Sequence, residues 1–187
     1  IGPCVAKKSE ALLPDLKGAI DFVLTFQELN TIFEAAEVNP ASMPDEENAQ
    51  ASWAGRIYAR TGGVSDAVSK TLDKLVPLKA QSFLPLQVDG IPACQKLLEE
   101  ISKAKPDANF IEGMACKGGC VGGPARILPP EITTSHVNNY GDASHAPTPV
   151  ENPHVYAILA HFDSDTDVPA LTGEGSIASL LVRKLYP

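Results

Sequence analysis

Two thiols open the chemical reading. In Met114-Ala-Cys116-Lys-Gly-Gly-Cys120-Val-Gly-Gly123 the cysteines stand four apart among glycines rather than on a helix. Both can therefore face one metal centre. Glycine lets the backbone turn tightly and approach a bulky inorganic ligand, and its free amides can hydrogen-bond to cluster sulfides or other anions. Two ligands complete neither a tetrahedral zinc site nor a cubane, so further thiolates must come from elsewhere. The alternative is a glycine-rich turn with two unligated thiols. A second segment, Gly2-Pro3-Cys4-Val-Ala-Lys7-Lys-Ser-Glu10, places a thiol and an ammonium three residues apart, on one side of a helical turn. Lys7 could stabilise a thiolate or an anionic ligand beside a metal, or simply pair with Glu10 at the surface. A third, Tyr58-Ala59-Arg-Thr61-Gly62-Gly63-Val64, brings two glycines to a helix start. Free N–H groups there form an anion site, or an ordinary turn. Cys94 lies outside these segments and reads as a small buried hydrophobe.

The elements that must position these groups alternate. Residues 20–26 read as a buried strand and 27–36 as a helix, followed by a polar loop over 39–52. Ile57-Tyr58 reads as β-prone. Val64, Val68, Leu72 and Leu75 recur at helical spacing up to Pro77. Residues 83–88 read as a strand, 93–104 as a helix and 109–112 as a short strand running into the thiol loop. Residues 129–153, rich in Pro, Ser, Thr, Asn and His, read as irregular. A short apolar run at 155–160 and an amphipathic helix at 175–185 close the chain. This alternation predicts an α/β fold with a largely parallel sheet flanked by helices, forming a single domain over residues 1–187. The three chemical segments should converge at the carboxyl ends of neighbouring strands, with Lys7 turned to the same cleft.

Composition bounds the function. The chain has 187 residues, 44% hydrophobic and 20% charged, and a net charge of −8. That is enough for a core without disulfide staples, and the acidity disfavours nucleic acid. No apolar stretch is long enough to span a membrane, and no signal peptide is visible, so the expected compartment is cytoplasmic. Opening on Ile1, the chain reads as a processed product or an excised piece. His136, His145, His154 and His161 have no helical pair spacing and read as solvated or capping groups. Asp163-Ser-Asp165-Thr-Asp167 mimics a calcium loop but has Val168 where glycine is required, which excludes calcium.

Taken together, the three segments resemble the catalytic domain of the iron-only (FeFe) hydrogenases. Cys4 to Glu10 resembles that family's P-C-x-x-K-x-x-E motif. Glu112 to Cys120 resembles E-x-M-A-C-x-x-G-C. Residues 57–64 resemble the aromatic-small-x-T-G-G-V stretch between them, in the same chain order. The match is close over residues 1–128 and weak over 129–187. The resemblance implies an H-cluster in the intact protein: a [4Fe-4S] cubane joined through one cysteine to a diiron unit. Cys4, Cys116 and Cys120 match three metal ligands, Cys120 the bridging one. Lys7 matches a lysine that hydrogen-bonds a cluster cyanide, and Met114 a methionine beside the diiron unit. Tyr58 and Ala59 match residues lining its other side. Gly2, Pro3, Thr61, Gly62, Gly63 and Gly122 belong to the matched cofactor-binding segments.

The implied activity is reversible H2 oxidation and proton reduction. The implied electron partner is a ferredoxin or a fused iron–sulfur domain. The family's T-S-C-C-P motif, with the fourth cubane ligand, is expected in an upstream segment of the same polypeptide. The isolated chain is therefore expected to lack the cluster and to be inactive. Gly2 stands where fast enzymes carry a methionine, and Gly122-Gly-Pro-Ala-Arg126 replaces the usual G-G-G-Q-P. Both changes point to an H2- or redox-sensing branch with little turnover. A non-hydrogenase protein of the cytosolic iron–sulfur assembly type is the other rival, and the presence of both Lys7 and Met114 argues against it.

Overall fold

The computed structural model describes residues 1–46 and 50–160. The expected helix at 175–185, His161 and the acidic run 163–167 lie outside them. The chain divides into two compact units, Ile1–Glu151 and a second beginning at Asn152. In the second, α8 (Pro153–Leu159; labels here run in chain order) starts where the Asn152 side chain accepts the His154 N–H, so the 155–160 run is helical.

The first unit is mixed α/β. Its helices are α1 (Ala6–Glu10), α2 (Phe26–Ala35), α3 (Trp53–Arg56), α4 (Gly63–Leu75), α5 (Pro77–Ala80), α6 (Ile91–Lys103) and α7 (Pro130–Asp142). Two strands, β1 (Pro85–Asp89) and β2 (Phe110–Met114), pair in parallel with Gln87 opposite Glu112 and Asp89 opposite Met114. α6 is the crossover between them and packs on both, as a parallel pair requires. α4 packs on β2. Among the described residues no helix is long and apolar enough to cross a membrane.

Three expectations need correction. Residues 20–26 are not a buried strand: Phe22 is 86% exposed, and the run makes one bridge, with the Gly2 N–H donating to the Leu24 carbonyl. The cause lies at Thr25. Its hydroxyl accepts the Glu28 N–H while the Glu28 carboxylate accepts the Thr25 N–H, a reciprocal cap that starts α2 and ends any strand. Ile57-Tyr58 is not a strand either. Ser52 caps α3 through the Gly55 N–H, and Ile57, fully buried, ends that helix.

Residues 129–153 are not irregular, since α7 occupies 13 of them. Pro130 suits a first helical position, where an N–H has no partner. The Thr133 and Ser135 hydroxyls donate back to the Pro129 and Glu131 carbonyls, so they do not compete for backbone N–H groups. Contacts distant in sequence then fix the helix. Asn138 accepts from Arg60, the Arg56 guanidinium lies over the Tyr140 ring, and Asp142 accepts the Trp53 indole N–H.

The N-terminal segment is held by a charge. The Lys8 ammonium donates to Glu28 at 2.8 Å and to the Val23 carbonyl at 3.1 Å. With the Thr25 N–H and hydroxyl, Lys8 pulls the Glu28 carboxyl down to about 2. A depressed carboxyl stabilises the fold above its unfolded value of about 4.3 and loses that contribution as pH falls toward 2. The tie of the N-terminus to α2 should therefore hold at neutral pH and loosen between about pH 4.3 and 2, read from the Gly2 and Glu28 amide resonances. Lys8→Ala should raise the Glu28 midpoint toward the ordinary range; an unchanged midpoint would remove the ion pair as its cause.

Candidate metal centre

The thiol loop leaves the carboxyl end of β2. Its backbone turns at Gly118 and Gly119, both at positive φ, with the Gly119 N–H donating to the Cys116 carbonyl, and runs into one 3-10 turn at Cys120–Gly122. The first turn of α4 lies beside it. The Thr61 N–H donates to the Gly118 carbonyl, and the Val121 N–H donates to the Ala59 carbonyl, both at 3.0 Å. On another side the Ala125 N–H donates to the Pro3 carbonyl at 3.0 Å, next to Cys4. All three segments singled out by sequence therefore meet around one loop, through backbone hydrogen bonds.

The approach is close enough to exclude side chains. A Cβ on Gly119 would stand 2.5 Å from the Thr61 nitrogen, and one on Gly123 would stand 2.5 Å from the Pro3 oxygen. Gly122 faces the Lys117 carbonyl and Gly63 the Ile57 carbonyl at still shorter range. Gly62, at φ 80°, precedes α4 and offers no capping side chain. That service comes from β2. The Glu112 carboxylate, 4% exposed, accepts the Gly62 N–H, the Ser65 N–H and the Ser65 hydroxyl at 2.6–2.8 Å.

Asp89, last residue of β1, adds a second tie. Its Oδ2 accepts the Thr61 hydroxyl and the Gly118 N–H, both at 2.9 Å, and Lys117 pairs with Oδ1 at 3.6 Å. The Gly118 bond, then the Thr61 bond and Lys117, hold the Asp89 carboxyl below its ordinary range against a partial burial that raises it. Sequence reading missed Asp89 and Ser65 and gave Glu112 no role beyond its motif. An aspartate before a glycine at a strand end carries no periodic or spacing signal.

Cys4 and Cys116 are half-buried and Cys120 is exposed, all as free thiols. Burial pushes the Cys116 thiol up, and the neighbouring Cys4 and Cys120 push it further, so the three sulfurs interact. Lys7 pairs with Glu10, which raises its ammonium; partial burial opposes this, and the nearby Cys4 and Cys120 add smaller increments. Among the described residues no three His, Cys, Asp or Glu side chains meet at the separation a single ion needs. A tetrahedral ion with bonds near 2.3 Å draws thiolates to about 3.8 Å. A cubane gives each thiolate its own iron corner and asks for a wider set. Cys94 is on α6, with its sulfur 3.5 Å from the Met114 carbonyl.

Ala59 and Pro3 line a cavity of about 270 Å³ with Phe26, Val121, Ile127 and Leu128. Tyr58 faces a separate groove along α4, beside Val68, Thr71 and Leu72. Met114 ends β2, its carbonyl accepting the Gly90 N–H. A Cβ built on Gly2 meets nothing within 4 Å.

Comparison with known proteins gives the same direction. The family described as iron only hydrogenase large subunit, C-terminal domain, matches residues 1–124. The periplasmic [Fe] hydrogenase large subunit of Nitratidesulfovibrio vulgaris is 28% identical over 162 residues, covering 69% of this chain and 38% of its own length. Iron hydrogenase 1 of Clostridium pasteurianum is 29% identical over 164 residues, covering 70% of this chain and 29% of its own. A variant of the FeFe-hydrogenase HydA1 from Chlamydomonas reinhardtii shares the fold at TM-score 0.58 and 19% identity, over 86% of this chain and 57% of that one. The chain thus spans well under half the length of the curated relatives it matches.

The convergence predicts a cross-link. In the metal-free chain a short thiol-reactive cross-linker such as dibromobimane should join Cys4 to Cys116 or Cys120 and leave Cys94 single. Gly123→Ala, which forces Pro3 away, should reduce that cross-link several-fold, by about threefold or more. Equal cross-linking in the variant would show that the Pro3–Gly123 contact does not hold Cys4 in place.

Proposed function

The chain belongs to the iron-only hydrogenase family, in the C-terminal domain of its large subunit, and from that premise we propose that it supplies three of the four thiolates of an H-cluster. The observation that carries the reading is the meeting of the Cys4, Thr61-Gly62 and Cys116–Cys120 segments around one loop. When bound, the centre supplies heterolytic H2 cleavage and its reverse, with the [4Fe-4S] cubane passing electrons.

The chain's own residues do the holding. Cys4, Cys116 and Cys120 each give up a proton to become ligands. Lys7 presents an ammonium beside Cys4 and Cys120, where it can hydrogen-bond an anionic ligand of the diiron unit. Pro3, Ala59 and Val121 keep water from one side through the apolar cavity. Met114 and the glycines Gly2, Gly62, Gly63 and Gly122 complete the proposed surroundings, whereas Tyr58 faces the separate groove along α4. A fourth thiolate comes from an upstream segment of the polypeptide, and electrons come from a ferredoxin or a fused iron–sulfur domain. The proposed compartment is the cytoplasm, although one relative is named periplasmic.

One observation favours a second reading, H2 or redox sensing with little turnover. A Cβ on Gly2 would meet nothing within 4 Å, at the position where the resemblance places a methionine touching the diiron unit in fast enzymes.

Purified in air, the chain should be colourless and hold no stoichiometric iron. Reconstituted with iron and sulfide without oxygen, it should develop cubane absorption. Cys4→Ala, Cys116→Ala and Cys120→Ala should each remove that band, whereas Cys94→Ala should keep it. Loss of the band in the Cys94 variant alone, with the other three still coloured, would overturn the ligand assignment.

A further inference from the structure

Asp89 joins two segments through one side chain. Its Oδ2 takes the hydroxyl of Thr61 and the N–H of Gly118, while the Gly118 carbonyl takes the Thr61 N–H. The three residues close a ring, and both polar groups of Gly118 are used in it. Gly118 is the midpoint of the thiol loop, two residues from Cys116 and two from Cys120. A carboxylate on β1, the strand that does not carry the cysteines, thus fixes where the loop turns. Its charge is only weakly compensated. Lys117 stands 3.6 Å away with 91% of its side chain exposed, where water screens the pair.

We propose that Asp89 is a positioning residue for the metal centre: it holds the Cys116–Cys120 loop in its thiolate-presenting turn, and its charge lowers the reduction potential of the cubane held there. The inference rests on the functional reading above. A fixed negative charge beside a cluster opposes the arrival of an electron, so removing it makes the potential more positive. Asparagine retains an oxygen that accepts from Thr61 and Gly118 but carries no charge, which separates the two effects.

The test compares Asp89→Asn, Asp89→Ala and Asp107→Asn in the full chain, by amide hydrogen exchange without metal and by redox titration after anaerobic reconstitution. Asp89→Ala should speed Gly118 exchange about tenfold, and Asp89→Asn should restore it to within about threefold of the parent. Asp107→Asn, which removes one exposed charge just before the amino end of β2, opposite to the end that leads into the loop, should leave the potential at the parent value. Asp89→Asn should move the potential positive. Unchanged Gly118 exchange in Asp89→Ala, or an Asp89→Asn potential equal to the parent's, overturns the proposal. Should Asp89→Ala fail to fold, the contrast between Asp89→Asn and Asp107→Asn in potential decides it. Should the parent accept no cluster, the functional reading falls, and exchange at Gly118 alone decides whether Asp89 positions the loop.

Discussion

A carboxylate buried in a two-stranded sheet fixes the rest of this structure. Glu112 sits in β2, and the donors to it at Gly62 and Ser65 come from the start of α4. A helix start leaves N–H groups without partners, and the positive end of its dipole favours an anion. Helices commonly meet that need with their own capping side chain, as α2 does with Thr25. Gly62 has none to give. The cap is therefore borrowed from a residue 50 positions later, and the borrowing fixes α4 against β2. Because the thiol loop begins where β2 ends, orienting α4 on β2 also sets Thr61 and Gly62 beside Gly118 and Gly119.

Around that anchor, proximity is achieved by omitting side chains. Gly119 lies against the Thr61 backbone, Gly123 against Pro3 and Gly63 against Ile57, each nearer than a Cβ allows. Backbone-to-backbone contact lets hydrogen bonds run directly between segments far apart in sequence. Three such segments are then locked with little apolar core: the buried hydrophobic residues near the loop are small ones such as Val121 and Ala125. The contacts are therefore specific rather than extensive, and directional bonds define the site more than burial does.

What could be read from the sequence followed from how local its causes are. The α4 helix, α6 and both strands announce themselves by spacing of apolar residues, and the observed bounds differ by only a few positions. The thiol loop announces itself by its glycines and cysteines. The misread elements have distant causes. α7 contains a run of hydroxyl and amide side chains that alone suggests a loop, and it becomes helical through Arg56, Arg60 and Trp53, 78 to 89 residues before their partners on it. The 20–26 run is β-prone but finds only Gly2 as a partner among the described residues. Asp89 and Ser65 were invisible because their roles exist only once β1, β2 and α4 are assembled. The motif residues could be listed beforehand; the carboxylates that arrange them could not.

On the proposed reading, the arrangement separates two requirements of a metal site. Backbone order is supplied by the protein, through the Glu112 cap, the Asp89 ring and the contacts at Pro3. Little chain entropy therefore remains to be lost when a ligand arrives, unlike in small domains that fold only around their metal. Charge is not supplied in the same way. Burial and the neighbouring sulfurs hold the Cys116 thiol above its ordinary range, so the metal-free loop favours protonated sulfur. Three thiolates this close would repel one another without a cation between them. Binding must then expel protons from a loop whose backbone is already in place, and affinity rises with pH through the titration of the thiols rather than through any folding step. A site built this way has its backbone arranged by carboxylates and glycines, and a metal held there would take the place of the thiol protons.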